Sequence, residues 1–295
     1  MDPLSQILHL LKFDVSVYHN AKVCGNWRIA EHKLGSTCFH IVMTGNLLLD
    51  VPGHFKGMLN SGDLVIFPRE LSHTMTPVAV VEGEQRHLDY LEAANIDGTG
   101  LLCASVQFRH QGSRYLLDAL PLAFVIRYDP SNYWLKSLLD IFLAENLSSG
   151  PASKVIFDRL SELLFIYAFR QYLNEHPSEV GMLGLYSHAR LARVVAAIHE
   201  QPEREWTLDE MAQVAAMSRT AFAEKFKSVS GWTAGQYVTW WRMQLAWSML
   251  SDGKDSAEVA SRVGYKSESA FSRIFRKTFD VTAGKVRKAS SRQAA

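Results

Sequence analysis

WTLDEMAQVAAMSRTAFAEKFKSVSG, residues 206–231, has its own plan repeated further along the chain in VASRVGYKSESAFSRIFRKTFDVTAGKVRK, residues 259–288. In the first copy Thr207 stands where a helix N-cap is needed, and Glu210, three residues on, completes a capping box. Met211, Ala212 and Ala215 are that helix's apolar face. Met217-Ser218 turns the chain, with Ser218 as the next N-cap. Phe222 and Phe226, one helical turn apart, then point to a core. Phe271 and Phe275 follow 49 positions after them, and Thr282-Ala-Gly stands 49 after Thr233-Ala-Gly. Ala212 to Ala260 is 48, so the second turn holds one extra residue. A short helix, a tight turn and a second helix, duplicated, is the helix-turn-helix plan.

With the phenylalanines inward, the opposite face of each second helix is free to enter a major groove. In the first copy that face carries Arg219, Thr220, Ala223 and Glu224; in the second, Glu268, Ser269, Ser272 and Arg273. Arg273 suits a guanine edge, Glu224 the amino group of cytosine, and Ser272 several bases. Lys227, Lys266, Arg276 and Lys277, with the helix starts at Ser218 and Ser267, suit phosphates, which fix register without reading sequence. Between the copies, residues 234–250 form a helix of about 26–28 Å at 1.5 Å per residue. Tyr237, Trp240, Trp241, Met243, Ala246 and Leu250 anchor it to both. Successive major grooves on one face lie about 34 Å apart, so this rod sets a separation of the right order.

Charge agrees. Residues 1–185 hold 14 Lys and Arg against 19 Asp and Glu, whereas residues 186–295 hold 17 against 11. A basic C-terminal third on an acidic body suggests a polyanion partner for one domain only. The 295 residues suggest about two domains. At 47% apolar and 21% charged, the chain is neither disordered nor low-complexity. No apolar run approaches the roughly 18 residues of a membrane span, and Asp2 without a basic start argues against a signal peptide. The expected location is the cytoplasm, with no membrane partner. Cys24, Cys38 and Cys103 are three thiols without CxxC spacing, which speaks against a disulfide framework and a four-cysteine zinc site.

Earlier in the chain the period is two. Val15–Tyr18, Trp27–Glu31, Cys38–Met43, Asn46–Val51, Leu64–Pro68 and Leu101–Phe108 read as short strands separated by glycine turns, with residues 81–100 a loop or poor hairpin. This favours an all-β sandwich or barrel. Residues 131–147 and 152–173 read as helices, the second with an apolar stripe of Ile156, Leu160, Leu163, Leu164, Tyr167 and Ala168 that packs on its own domain or forms a dimer seam. Residues 174–185 read as a linker.

The repeat, with Gly264-Tyr265, Phe271-Ser-Arg273-Ile-Phe275-Arg276 and the closing Arg287, resembles the AraC/XylS family of transcription regulators over about residues 190–287. The resemblance implies sequence-specific DNA binding and control of promoters, usually activation through RNA polymerase. It places the base-reading positions on Thr220, Ala223, Glu224, Ser269, Ser272 and Arg273. Alanines stand at 234 and 283, where the family often has proline, and Asp280 stands where it often has glycine. Cys38 to Gly45, Gly62 to Pro68, and His73 resemble the two signature stretches of cupin-type sensor domains. The fold expected is therefore a two-domain chain: an all-β cupin-like barrel (1–130), dimerisation helices (131–175), a linker (176–188) and an all-α double helix-turn-helix domain (189–295). The expected partners are double-stranded DNA, RNA polymerase, a second copy of the chain and a small-molecule effector.

For sensing, the candidates are Cys24, Cys38, His40, His73 and Cys103. His40 lies two residues from Cys38, and Lys22 two from Cys24, each on the same strand face; a reactive thiolate needs such a cation or exposure. The enzymatic cupin pattern of two closely spaced histidines, a glutamate and a later histidine is incomplete here, so no metal, cofactor or catalytic residue is expected. A metal-dependent cupin enzyme with an appended helical domain is the competing reading.

Overall fold

The computed structural model describes residues 2–30, 33–79, 82–108, 113–118, 120–148, 150–176 and 181–293. It divides into two compact units: Asp14–Gln107 with Leu120–Tyr172, and Met1–Phe13 with Phe108–Ala119 and Leu173–Ala295.

The first of these is a sheet unit. Its strands are β1 (Phe13–Cys24), β2 (Thr37–Thr44), β3 (Asn46–Val51), β4 (Phe55–Asn60), β5 (Leu64–Phe67), β6 (Thr74–Thr76), β7 (Arg86–Leu88), β8 (Thr99–Phe108) and β9 (Phe124–Ile126). Six lie in the order β7-β1-β8-β2-β5-β9 and three in the order β4-β3-β6. Leu47, Leu49, Val51, Leu59 and Met75 of the small sheet interdigitate with Val42, Val65, Phe67 and Leu101 of the large one, all at most 1% exposed. Each such side chain contributes on the order of 1.5–3 kcal/mol of burial, which fixes the register of the alternating strand β3. Helices α3 (Tyr133–Ser148) and α4 (Ser153–Glu175) follow. The N–H of Val17 donates to Asp158 Oδ1 at 2.9 Å, which ties α4 to β1.

Several expectations need correction. The strands form two sheets rather than a closed barrel. Trp27–Glu31 is no strand: Ile29 makes one isolated bridge to Met75, and Glu31 lies outside the described residues. Residues 81–100 contain β7, paired with β1. Residues 55–60 and 74–76, unassigned from sequence, supply both partners of β3. The expected stripe on α4 divides: Leu164 and Ala168 are buried, whereas Ile156 and Leu163 are 36% and 43% exposed. The core face is instead Phe157, Leu164, Phe165, Ala168 and Phe169.

The second unit is helical. It holds α1 (Pro3–Leu11), α2 (Ser113–Asp118), a 3-10 turn (Gly181–Leu183), α5 (Gly184–Ser187), α6 (Ala189–Glu200), α7 (Leu208–Val214), α8 (Arg219–Ser230), α9 (Ala234–Ser251), α10 (Ser256–Arg262), α11 (Glu268–Phe279) and α12 (Ala283–Gln293). The expected linker is thus partly structured, with Met182, Leu183 and Leu185 buried; its residues 177–180 lie outside the described ones.

The caps fall where the sequence asks for them. Thr207 and Glu210 make a capping box, as do Thr233 and Gln236, and Ser218 and Ser267 cap α8 and α11. The turn before α8 passes through Ala216 in the left-handed region (φ 52°), and the turn before α11 through Gly264 (φ 78°). A Cβ at Gly264 would lie 2.6 Å from the Glu203 carbonyl oxygen, so this turn admits only glycine. Helix α8 ends on left-handed Gly231 and α11 on left-handed Asp280, 49 residues later.

The sequence did not single out α1, which packs on α6 and α9. Its Ile7 and Leu10 are buried. Gln6 Oε1 accepts from His199 Nδ1 at 2.6 Å, and His199 Nε2 accepts from the Tyr237 hydroxyl at 2.8 Å. The Tyr237 oxygen in turn meets the Tyr186 hydroxyl at 3.0 Å. The His199 ring lies on Trp241, centroids 3.5 Å apart and 12° from parallel. With Gln6 accepting at one nitrogen and Tyr237 donating at the other, the imidazole is held neutral. Burial draws its pKa from 6.5 down to about 3, in the same sense.

Candidate nucleic-acid interface

Helices α8 and α11 each bury one face. Phe222 and Phe226 are fully buried, the latter 5.9 Å from the Tyr237 ring. Phe271, Phe275 and Phe279 pack with Met243, Trp247, Leu250 and Val259. Tyr237, Trp240, Trp241, Met243, Ala246 and Leu250 of α9 are all buried. At 18 residues, α9 is a rod of about 27 Å built into both cores.

The opposite faces stay in solvent. On α8, Arg219, Thr220, Glu224 and Lys227 are exposed and Ala223 is half-buried. Arg219 pairs with Asp209 of α7 at 3.2 Å, so a DNA edge competes with that carboxylate for its guanidinium. On α11, Glu268, Ser269, Arg273, Arg276 and Lys277 are exposed and Ser272 is half-buried. Ser272, Arg273, Arg276 and Lys277 line one concave surface together with Thr282 and Gly284 at the start of α12. Ser218 and Ser267 sit at the helix starts, each accepting from the backbone of its own first turn. Lys266 is exposed, with Glu205 3.8 Å away across the turn. Each helix thus carries three exposed cations and one glutamate: Arg219, Lys225 and Lys227 with Glu224 on α8, and Arg273, Arg276 and Lys277 with Glu268 on α11.

The sensing candidates lie in the sheet unit. Cys38, His40 and Cys103 share the face toward the inter-sheet core, since His40 pairs in register with Cys103 and Cys38 with Ser105. His40 and His73 have ring centroids 5.0 Å apart, and His73 stacks on Phe67 at 4.5 Å. His73 Nδ1 donates to the Leu71 carbonyl at 2.8 Å. Cys24 stands apart, in register with Arg86 at the β1–β7 edge. Its expected cation is engaged elsewhere, because Lys22 Nζ donates to the Ala93 carbonyl. Burial, with the Glu70 carboxylate adding to it, pushes the Cys38 thiol far above the ordinary range, and burial does the same to Cys103. Among the described residues no group of three or more His, Cys, Asp or Glu side chains is arranged to hold a metal ion.

Residues 2–174 match the cupin family model, and residues 211–289 match a helix-turn-helix domain model. The chain belongs to the AraC/XylS family, with an N-terminal cupin domain. Its relatives match over almost the whole length. One is the RCS-specific HTH-type transcriptional activator RclR of Escherichia coli, 27% identical over 97% of each chain. Another is the HTH-type transcriptional regulator AlkR of Acinetobacter baylyi, 29% identical over 95% of this chain and 97% of that one. A third, from Streptomyces lividans, is named for its AraC-like character and is 28% identical over 98% of each chain. This AraC-type chain thus joins the exposed α8 and α11 faces to a cupin sheet unit. In the helical unit the features missed from sequence are α1 and the His199 cluster, whose partners lie 193 and 38 residues away. No short-range pattern signals contacts of that reach.

Proposed function

We propose that this AraC-type protein is a sequence-specific DNA-binding transcription regulator, an activator acting with RNA polymerase, whose sheet unit reads a small-molecule signal. One observation carries it: two reading helices, each with its aromatic face buried, present polar outer faces from cores joined by a single buried rod, α9. Base reading falls to Arg219, Thr220, Ala223, Glu224, Glu268, Ser269, Ser272 and Arg273. Phosphate contacts fall to Ser218, Lys227, Lys266, Ser267, Arg276 and Lys277. The exposed Ile141, Val155, Ile156 and Leu163 of α3 and α4 form the seam for a second copy. A small molecule is favoured over an oxidant because burial disfavours the reactive thiolates of Cys38 and Cys103. A regulator is favoured over a cupin enzyme because His40 and His73 have no third ligand arranged with them among the described residues. Among those residues no helix is long and apolar enough to cross a membrane, which accords with a cytoplasmic regulator.

The test is a gel-shift series on DNA selected from a random-sequence pool, across a range of salt. Affinity falls steeply with salt as counterions are released. Arg273→Ala weakens specific binding by about 1–3 kcal/mol and relaxes one base position. Unchanged affinity and base preference would overturn the assignment of Arg273.

A further inference from the structure

A cavity of about 280 Å³ opens in the sheet unit between β1, the Arg28–Ala30 segment, β2, β7 and β8. Tyr18, His19, Arg28, His40, Gln85 and His87 give it its chemistry. Its volume is that of about nine waters at roughly 30 Å³ each, room for a compact one-ring molecule. Among the described residues that line it, Arg28 carries the one permanent charge and none is a carboxylate. This is notable in the acidic part of the chain, where Asp and Glu outnumber Lys and Arg over residues 1–185. The Arg28 guanidinium makes no ion pair or hydrogen bond among the described residues, although its backbone is fixed: the Arg28 N–H donates to Gln85 Oε1 at 2.9 Å. Gln85 Nε2 in turn donates to His87 Nε2 at 2.8 Å. One amide therefore holds both the arginine segment and the β7 imidazole in place. His87 meets His19 edge to face, centroids 5.1 Å apart, and His19 Nε2 is buried without a partner among the described residues. Among the described residues the cavity thus offers a fork-shaped cation with no side-chain partner at its rim and planar, polarisable walls behind it.

We infer that this cavity binds a small planar organic carboxylate, its two oxygens on the Arg28 guanidinium and its ring against Tyr18 and the imidazoles of His19 and His87. A guanidinium fork is suited to bidentate pairing with a carboxylate. The role of such a ligand as signal rests on the proposed reading of the sheet unit as a sensor; its binding does not.

The experiment is calorimetric titration of the full-length chain with a panel of one-ring carboxylates led by nicotinate, each compared with its uncharged amide, nicotinamide for the first. At least one acid of the panel binds the native chain, its amide binds at least tenfold more weakly, and Arg28→Gln loses at least tenfold in affinity for the acid, as expected for loss of a charge-assisted pair. Arg28 is exposed, so this variant keeps its fold, and Arg28→Lys recovers part of the affinity because it keeps charge without the fork. Equal binding of acid and amide, unchanged binding by Arg28→Gln, or failure of every acid to bind at millimolar concentration overturns the proposal. Gel shifts run with and without the bound acid separate the two readings. Binding through Arg28 with no change in DNA affinity keeps the site and removes its sensory role. Ligand binding in a chain that binds no DNA removes the regulator reading alone.

Discussion

Lowering the pH from about 7.5 to about 5 should loosen the helical unit through one residue, His199. Its imidazole is 7% exposed, stacked on Trp241 and hydrogen-bonded at both nitrogens in the neutral form. Burial draws its pKa from 6.5 to about 3. A group whose folded pKa is depressed contributes fully above its unfolded value and loses that contribution as pH falls toward the folded one. Between pH 6.5 and about 3 the unfolded chain takes up a proton that the folded chain refuses. At about pH 5 the loss is about 1.5 units at 1.36 kcal/mol each, or about 2 kcal/mol. Urea-dependent hydrogen exchange of α6 and α9 peptides reads this locally, in native protein and in His199→Gln. His19, also drawn down, and the depressed carboxylates of Glu210 and Asp255 remain in both, so the difference between the two pH profiles isolates His199. The native protein should lose about 2 kcal/mol more than the variant over this range. Parallel losses in the two proteins would refute the claim that His199 is buried neutral between α1, α6 and α9.

Two other outcomes are expected. If the proposed seam holds a second copy, Leu163→Glu places a charge on the exposed α4 face once in each protomer, and at about 1.4 kcal/mol per side the dissociation constant of the proposed dimer rises about a hundredfold, read by light scattering after size-exclusion chromatography. An unchanged mass across concentrations would move the seam elsewhere. Cys38 and Cys103, buried and with thiols pushed above the ordinary range, should resist iodoacetamide in the folded protein and react only after unfolding. Rapid labelling of either in the native state would favour an oxidant signal.

Much of the helical unit was legible because its signals are local. Caps at Thr207, Ser218 and Ser267, and phenylalanines one turn apart, are short-range features, and the 49-residue spacing repeats them. The extra residue in the second turn is seen directly: Ala216-Met217 precedes Ser218, whereas Gly264-Tyr265-Lys266 precedes Ser267. What stayed hidden depends on distant partners. Helix α1 has an ordinary amphipathic pattern, and only α6 and α9, far along the chain, give its Ile7 a core. Strand β4 alternates weakly, with Gly57 and the exposed Lys56 and Asn60, and is a strand because β3 pairs with it. Helix α4 is apolar on more than one face, so periodicity named a stripe without telling which side the sheet would cover. The cavity beside Arg28 unites strands and a loop that no motif connects.

Hydroxyl-radical footprinting of the full-length protein on a selected DNA site tests the central claim most directly. Two protected segments on one face of the duplex, about one helical turn (~34 Å) apart per protomer, are predicted, with Arg273→Ala weakening one of them. A single protected segment per protomer, or two that persist unchanged when α8 and α11 lose their outer side chains, would contradict it.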